Sequence, residues 1–234
     1  NADFILNGDD DKLSTVKTVN GKKPVFFGLD ERNDFYAKNI KNSGDGKVLA
    51  TLCFDNNNID VEIPAIGTYM VTNALAAAAA GKLLGLTDEE IANGVASYKT
   101  VGSRANVINT GKIKIIDDCY NANPTSVRAS LDTLSNLDGR KVAILGDMKE
   151  LGSEELKLHF DTGVYAKSKG IGTVITVGEL AKELAKGADG KAFDTIEDAK
   201  PEILKTIKSG DVVLVKASHS MQFENIVEFL KQNF

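Results

Sequence analysis

Residues 113–124 read Ile-Lys-Ile-Ile-Asp-Asp-Cys-Tyr-Asn-Ala-Asn-Pro, so an apolar run gives way to a polar cluster and then to a proline. Ile113–Ile116 predicts a buried strand, and Asn123 with Pro124 predicts a helix start, because asparagine caps helices and proline suits their first position. A strand, a short polar loop and a helix in succession are typical of α/β folds, whose ligands bind beyond the carboxyl ends of the strands. Capping explains one or two of these polar side chains but not the whole cluster, which favours a functional site.

The residues that follow continue the alternation of strand and helix. Further strands are predicted at Val142–Leu145, Thr173–Val177 and Val212–Val215. Helices are predicted at Pro124–Leu137, Ser153–Lys169, Glu179–Lys186, Ile196–Lys208 and Met221–Gln232. Pro201 lacks a backbone N–H, so it is expected in the first turn of its helix, or that helix starts late. Strands that are apolar throughout and separated by helices predict a mostly parallel sheet covered on both faces.

The part of the chain before Arg104 has a different pattern, with short strand signals followed by two helices. Its strands are predicted at Phe4–Leu6, Pro24–Leu29, Val48–Phe54 and 59–63, with a hairpin turn at 55–58. The alanine-rich segment Thr72–Leu84 predicts a helix that stops at Gly85. Thr87 and Glu90 fit a capping box that opens the next helix. The change of pattern predicts a domain boundary near residues 104–109.

The composition narrows the function classes. The 234 residues carry 28 Lys and Arg against 33 Asp and Glu, a net charge of −5, so neither nucleic acid nor an anionic membrane surface is expected as a partner. The alanine-rich run at 74–80 is too short to span a bilayer, and the first residues lack the basic start and apolar core of a signal peptide. The sequence has only two cysteines, Cys53 and Cys119, without metal-site spacing, and such sparse cysteine usage is typical of proteins of the reducing cytosol.

Two more polar loops follow predicted strands. Gly146–Gly152 has the composition of a small cradle for an anion or a dipeptide, although such loops are common. Lys216–Ser220 combines a lysine with two serines at a helix start, which suits a carboxylate or phosphate; an N-cap serine beside a solvated lysine fits equally well. His159 has no second ligand at metal spacing, and the sequence assembles no catalytic triad or zinc cluster. Gly44–Lys47 lacks the spacing of a phosphate-binding P-loop.

The polar cluster after Ile116 carries a family resemblance. Asp-Asp-Cys-Tyr-Asn-Ala-Asn-Pro-Thr-Ser at 117–126 resembles the signature that opens the C-terminal domain of the Mur ligases. Its Tyr-Asn-Ala-Asn form is similar to that of the members that add D-alanyl-D-alanine to UDP-N-acetylmuramoyl-tripeptide. Further blocks agree in order, namely Asn7–Asp10, Gly67–Ala77, Ser103-Arg104, Gly146–Gly152 and Lys216-x-Ser218. Each block is weak by itself, but the ordered set covers essentially the whole chain and is highly specific.

The resemblance implies an α/β fold in two parts. Residues 1–104 would be the C-terminal part of the ATP-binding central domain, with a mixed sheet. Residues 105–234 would be a Rossmann-like C-terminal domain with a mostly parallel sheet. The family's N-terminal UDP-sugar domain and its Gly-x-x-Gly-Lys-Thr/Ser loop are missing from this sequence. We therefore expect a fragment of a ligase that is inactive alone. The protein is also expected to be cytoplasmic and monomeric.

The reaction implied by the resemblance is the ATP-dependent formation of a peptide bond. ATP phosphorylates the terminal carboxylate of UDP-N-acetylmuramoyl-tripeptide, and the amine of D-alanyl-D-alanine attacks the acyl phosphate and releases phosphate. A free carboxylate is a poor acyl donor, and phosphorylation gives it a good leaving group, while Mg²⁺ and cationic side chains offset the charge on the transferring phosphoryl group. The main metal and phosphate ligands would lie in the missing N-terminal part, so no metal ligand is assigned here.

The nucleotide-binding positions of the family match six residues, namely Tyr69, Asn73, Arg104, Asp118, Tyr120 and Asn121. The resemblance implies that Asn73 contacts the adenine, with the ring of Tyr69 alongside it. Arg104 would reach an ATP phosphate, for which its forked guanidinium is suited. Asp118 would accept hydrogen bonds from both ribose hydroxyls, and the other two residues would pack near the nucleotide.

The side of the site that takes D-alanyl-D-alanine matches Asn123, Lys216, Ser218 and His219. A helix N-terminus there could hold the carboxylate of the dipeptide. The chain departs from the family pattern at three positions, since Tyr69 replaces a histidine, Ala217 a glycine and His219 an arginine. Loss of that arginine weakens the case for a bidentate grip on the carboxylate.

Two other functions stay open. Another amino-acid-adding ligase of the superfamily, such as a folylpolyglutamate synthase-like enzyme, shares the reaction class, although the Tyr-Asn-Ala-Asn run argues against it. A non-catalytic module that binds a nucleotide with a Rossmann-like domain is the alternative from a different class.

Overall fold

The computed structural model describes residues 2–43, 46–100 and 102–234. The chain forms two compact units, Asn1–Lys99 and Thr100–Phe234. This division falls slightly before Arg104, the residue at which the first domain is expected to end. Of the segment Gly44–Lys47, Gly44 and Asp45 lie outside the described residues.

The first unit contains a two-stranded parallel pair and a three-stranded antiparallel sheet. The parallel pair joins β1 (Ile5–Asn7) to β2 (Val25–Phe27). The antiparallel sheet consists, in spatial order, of β3 (Tyr36–Asn42), β4 (Val48–Phe54) and β5 (Asn57–Ile63). The mixture of parallel and antiparallel pairing agrees with the mixed sheet expected for this part of the chain.

Strand β3 is missing from the sequence prediction because a bulge interrupts it. Asn39 has a positive φ of 55°, and the register with β4 shifts between Lys38 and Lys41. This β-bulge breaks the alternation of apolar and polar residues by which strands are recognised. The predicted hairpin is confirmed, but its turn is shorter than 55–58, since β5 already begins at Asn57. Asp55 and Asn56 both have a positive φ, as a type I′ turn requires.

Helices α1 (Tyr69–Leu83) and α2 (Asp88–Ala96) complete the first unit. The small alanine side chains of α1 allow it to pack closely, and Leu75 at its centre is fully buried. The predicted capping box of α2 is confirmed. The Glu90 N–H donates to Thr87 Oγ1 at 3.2 Å, and the Thr87 N–H donates to Glu90 Oε2 at 2.8 Å.

The second unit is built on a six-stranded sheet with the order β10-β9-β8-β11-β7-β6. Its strands are β6 (Asn106–Asn109), β7 (Lys114–Asp117), β8 (Arg140–Gly146), β9 (Thr173–Val177), β10 (Lys191–Phe193) and β11 (Asp211–Lys216). Neighbouring strands are parallel except β6, which pairs antiparallel with β7. The predicted α/β fold with a mostly parallel sheet is confirmed. The sequence prediction misses β6 and β10, which are short, largely exposed edge strands without a continuous apolar run.

The helices of the second unit lie close to their predicted positions. They are α3 (Pro124–Ser135), α4 (Glu155–Ser168), α5 (Ala181–Ala188), α6 (Ile196–Thr206) and α7 (Glu224–Asn233). The expectation for Pro201 is wrong, because α6 starts at Ile196 with Thr195 as its N-cap and Pro201 lies beyond the first turn. The proline removes the hydrogen bond to the carbonyl of Glu197, and that residue is exposed, so solvent can reach it. Among the described residues, the helices are all too short or too polar to cross a membrane.

The middle of the six-stranded sheet sets the position of the candidate site. Strand β11 lies between β8 and β7 and is buried along its whole length. Its register pairs Val215 with Asp117 of β7. Parallel strands bring their carboxyl ends to the same edge of a sheet, so Lys216 and Asp118 lie next to each other there.

Candidate functional site

A buried ion pair joins the carboxyl ends of β7 and β11. Lys216 Nζ lies 2.6 Å from Asp118 Oδ2, and only 3% and 12% of the two side chains are exposed. The same Nζ donates to the Asn121 carbonyl at 2.8 Å. Removing two charges from water is unfavourable unless both stay paired and hydrogen-bonded, as they do here. Lys216 and Asp118, which the resemblance assigns to different ligands, are therefore partners of each other.

The Asp118 carboxylate accepts two further hydrogen bonds from the protein. Ser130 Oγ in α3 donates to Oδ2 at 2.7 Å, and the Ala105 N–H donates to Oδ1 at 3.0 Å. A carboxylate has about four acceptor positions, so most of this capacity is already used. The ribose contact expected of Asp118 stays a prediction.

The exposed part of the site is a stack of one cation and two rings. The guanidinium carbon of Arg104 lies 3.8 Å from the ring centroid of Tyr120. The ring of His219 lies 5.8 Å from Tyr120, centroid to centroid, with the planes tilted by 36°. Tyr120 is 47% exposed although it packs against both neighbours. Planar cations and aromatic faces of this kind suit phosphates and flat, π-rich ligands.

The N-terminus of α3 borders this stack in the sequence. Asn123 Oδ1 accepts from the Ser126 N–H at 2.8 Å, and the Asn123 N–H donates to Ser126 Oγ at 3.1 Å, which forms a capping box. Asn121 Oδ1 accepts from the Ala122 N–H at 2.8 Å. Both asparagines are exposed, but their side-chain oxygens serve the local backbone. Their ligand contacts stay predictions.

Ser218 lies below the surface and connects two loops. Its Oγ accepts from the Lys149 N–H at 2.9 Å, and its own N–H donates to the Asp147 carbonyl at 3.1 Å. Asp147 belongs to the candidate loop Gly146–Gly152, but the sequence assigned it no role of its own. It is 2% exposed, its Oδ1 accepts from the Ala181 N–H, and its Oδ2 pairs with Lys149 Nζ. A charged residue directly after a buried strand was the available signal.

His159 stabilises the loop after β8 and is fully buried in α4. Its Nε2 accepts from the Met148 N–H at 2.9 Å, so Nδ1 carries the proton and donates to the Glu155 carbonyl at 2.6 Å. Both ring nitrogens are therefore used inside the protein. Among the residues that the structure describes, no group of three or more His, Cys, Asp or Glu side chains could hold a metal ion.

Cys119 lies inside the polar cluster but has the environment of a structural thiol. It is 1% exposed, and its Sγ donates to the Val215 carbonyl at 3.4 Å. Burial, assisted by the nearby Asp117 carboxylate, raises the pKa of the Cys119 thiol far above its ordinary value. The thiolate, which is the nucleophilic form, is thus disfavoured.

Tyr69 and Asn73, the two predicted adenine contacts, belong to the first unit. Tyr69 is the first residue of α1 and is partly buried, while Asn73 is exposed one turn further on. Asn73 lines a largely apolar cavity of about 330 Å³ that also contacts Ile91 and Tyr98. The other eight candidate residues belong to the second unit.

The fold and the motifs define the class of protein. The family described as "Mur ligase, glutamate ligase domain" matches residues 103–219, and the family described as "Mur ligase middle domain" matches residues 1–81. The chain therefore belongs to the Mur ligase family, and the resemblance drawn from its motifs is confirmed.

Particular relatives narrow this class. The chain is 33% identical over 238 residues to the UDP-N-acetylmuramoyl-tripeptide–D-alanyl-D-alanine ligase of Bacillus subtilis (strain 168), with 97% of this chain and 50% of that protein covered. It is 32% identical over 235 residues to the ligase of the same name from Escherichia coli (strain K12), with coverage of 98% and 52%. The chain thus spans about half the length of the curated relatives it matches.

A solved structure shares the fold of the whole chain. The crystal structure of the MurF ligase from Thermotoga maritima in complex with ADP matches with a TM-score of 0.86 and 26% identity. It covers 100% of this chain, which corresponds to 54% of that protein. That relative was crystallised with a nucleotide, which bears on the proposal below.

Proposed function

We propose that this chain is part of an ATP-dependent ligase that joins D-alanyl-D-alanine to UDP-N-acetylmuramoyl-tripeptide in peptidoglycan synthesis. The observation that carries the proposal is the stack of Arg104, Tyr120 and His219 beside the Asp118–Lys216 pair. It lies where α/β sheets bind ligands, and its central ring, Tyr120, is the first residue of the Tyr-Asn-Ala-Asn segment. The names of the relatives support the same reaction.

The exposed residues of the stack are proposed as nucleotide contacts. The donor set fits a nucleoside phosphate, because Arg104 offers a planar cation and Tyr120 a partly exposed ring face. Asn121 lies next to the stack in sequence, and Asn73 and Tyr69 are proposed for the adenine. ATP supplies the phosphoryl group that turns a carboxylate into a good acyl donor. Arg104 would bind and orient a phosphate and offset its negative charge.

The second proposed ligand is the dipeptide. His219 contacts the Tyr120 ring, and Asn123, three residues after Tyr120, caps the N-terminus of α3. Lys216 and Ser218, in contrast, are buried. We assign the carboxylate of D-alanyl-D-alanine to the exposed groups. Lys216 and Ser218 would affect the binding of this carboxylate indirectly, through the loops that they hold in place.

The remaining features of the proposal concern the whole protein. Residues 1–104 would be the C-terminal part of an ATP-binding central domain and residues 105–234 the Mur ligase C-terminal domain. The sequence holds no Gly-x-x-Gly-Lys-Thr/Ser loop, so we propose that the main phosphate and Mg²⁺ ligands of the enzyme are not within these 234 residues. We expect a monomeric cytoplasmic enzyme, and no turnover by residues 1–234 alone.

Calorimetric titration of this chain with ADP tests the nucleotide site. We expect binding that weakens at least about tenfold in Arg104→Ala, because a charge-assisted contact to phosphate is lost. Arg32→Ala is the matched control, since that arginine is exposed, pairs locally with Asp30 and lies in the first unit. Equal affinity of Arg104→Ala and the unchanged chain would contradict the assignment of Arg104.

A further inference from the structure

We infer that Lys149, in the loop after β8, binds the carboxylate of the amine substrate and helps to set the specificity for that substrate. The inference rests on the proposed function and deepens it, because it concerns the side of the site proposed for the dipeptide. The residues assigned to that carboxylate so far, His219 and Asn123, provide no permanent positive charge. A carboxylate that leaves water is held most strongly by a cation that also donates hydrogen bonds.

The loops at the carboxyl edge of the sheet contain a single cation. The central strands β7, β8 and β11 are followed by the loops 118–123, 147–154 and 217–223, all of which the structure describes. Lys149 is the one lysine or arginine in these three loops. Lys216, which closes β11, has only 3% of its side chain exposed. Lys149 is therefore the cation of this region that a substrate can reach.

The ammonium group of Lys149 keeps free donors although it forms an ion pair. Its Nζ lies 2.7 Å from Asp147 Oδ2, and 45% of the Lys149 side chain is exposed against 3% for Asp147. An ammonium group has three N–H donors, and the described residues take one of them, through this bond to Asp147. The other two donors are available to a carboxylate.

Asp147 holds the ammonium group on its buried side. Oδ1 of Asp147 accepts the Ala181 N–H at 2.8 Å, at the start of α5, where the N–H groups of the helix carry partial positive charge. Gly178 lies against the same carboxylate, since a Cβ at that position would be 2.4 Å from Oδ1. The negative charge of Asp147 is thus partly offset by the protein and closed off from solvent. The exposed side of the ammonium group is left for a ligand.

Two hydrogen bonds hold Lys149 against the loop that carries His219. The Lys149 N–H donates to Ser218 Oγ at 2.9 Å, and the Ser218 N–H donates to the Asp147 carbonyl at 3.1 Å. Ser218 directly precedes His219, so the two proposed carboxylate contacts lie on loops that are bonded to each other. Pre-organised groups bind more tightly than mobile ones, because less conformational entropy is lost on binding. The loop Gly146–Gly152, whose composition predicts a cradle for an anion or a dipeptide, would take this role through Lys149.

Steady-state kinetics of the whole protein that contains these residues test the inference with two amine substrates. One is D-alanyl-D-alanine, and the other is D-alanyl-D-alaninamide, which lacks the carboxylate. The quantity measured is the ratio of kcat/KM for the acid to kcat/KM for the amide. Both substrates meet the same enzyme preparation, so a partial loss of folded protein cancels in this ratio.

The informative variant is Lys149→Gln. It removes the positive charge but keeps an N–H donor for Asp147, so the buried carboxylate stays hydrogen-bonded. We expect the acid-to-amide ratio to fall about fivefold or more, because a charge-assisted hydrogen bond is replaced by a neutral one. The KM for D-alanyl-D-alanine should rise by a similar factor, while the KM for ATP stays within about twofold. Lys149→Arg, which keeps the charge, should stay within about twofold in all three quantities.

The matched control is Lys182→Gln. Lys182 is also a partly exposed lysine paired with acidic side chains, Glu179 and Asp194, but it lies in α5, beyond the next strand β9. We expect this variant to leave the acid-to-amide ratio unchanged.

Three results would overturn the inference. The first is an acid-to-amide ratio and a KM for D-alanyl-D-alanine that are the same in Lys149→Gln as in the unchanged protein. The second is an equal fall of the ratio in Lys182→Gln. The third is a rise in the KM for ATP at an unchanged ratio, which would assign Lys149 to a phosphate, since phosphates and carboxylates are recognised by the same chemistry. Absence of turnover with D-alanyl-D-alanine in the unchanged protein would instead contradict the proposed function.

Discussion

Ser218 Oγ accepts the backbone N–H of Lys149 at 2.9 Å, across a separation of 69 residues in sequence. This bond ties the loop after β8 to the loop after β11, the two loops that flank the carboxyl end of the sheet's central pair. We expect Ser218→Ala to lower the free energy of unfolding by about 0.5–1.5 kcal/mol, the net worth of one such bond. Chemical denaturation measures it. Ser220→Ala, at an exposed serine two residues on, should change stability by less than about 0.5 kcal/mol, and an equal loss in both variants would contradict this role.

A second prediction concerns His159, which accepts a hydrogen bond from the same loop. Replacement by leucine leaves the buried Met148 N–H without an acceptor, so His159→Leu should lower the free energy of unfolding by about 1–3 kcal/mol. His159→Gln, which keeps an acceptor oxygen, should lose less. The two variants are compared by urea denaturation at neutral pH. Equal free energies of unfolding for the leucine and glutamine variants would show that the hydrogen bond to Met148 does not contribute to stability.

The cysteines should be unreactive in the folded protein. Both Cys53 and Cys119 are buried free thiols, and burial raises the pKa of each, so the thiolate is scarce at pH 8. We expect a disulfide reagent to label neither cysteine under native conditions and both after unfolding in guanidinium chloride. Mass spectrometry counts the labels. Rapid native labelling of Cys119 would mean that the polar cluster around it is open to solvent.

The aromatic ring of Tyr120 should contribute to ADP binding. Tyr120→Leu removes the ring that contacts Arg104 and His219, so ADP affinity should fall by about three- to tenfold, the worth of a cation–π or stacking contact. Tyr120→Phe, which keeps the ring, should lose less. Phe229→Leu serves as the control, since Phe229 holds a similar contact with Lys200 in another part of the second unit. Equal losses in the leucine variants at 120 and 229 would show a general effect on folding.

The sequence was a good guide to the order of the elements and to the edge of the sheet that holds the site. Continuous apolar runs predicted the central strands, and the Asn123–Pro124 pair predicted the start of α3. Pairings across long stretches of sequence were not predictable in this way. Lys216 and Asp118 are 98 residues apart, and the bond between them follows from strand order, which local patterns do not encode. Ala105, the residue after Arg104, has a left-handed backbone conformation, and an alanine in the sequence does not predict such a conformation.

Phosphate release by the whole protein that contains these residues tests the central claim most directly. Its rate would be measured with ATP, Mg²⁺ and UDP-N-acetylmuramoyl-tripeptide, and with D-alanyl-D-alanine, L-lysine or L-glutamate as the amine. The account predicts release that depends on D-alanyl-D-alanine and falls strongly in Arg104→Ala. Release supported by L-lysine or L-glutamate but not by D-alanyl-D-alanine would contradict it and would indicate a different amino-acid ligase of the same family.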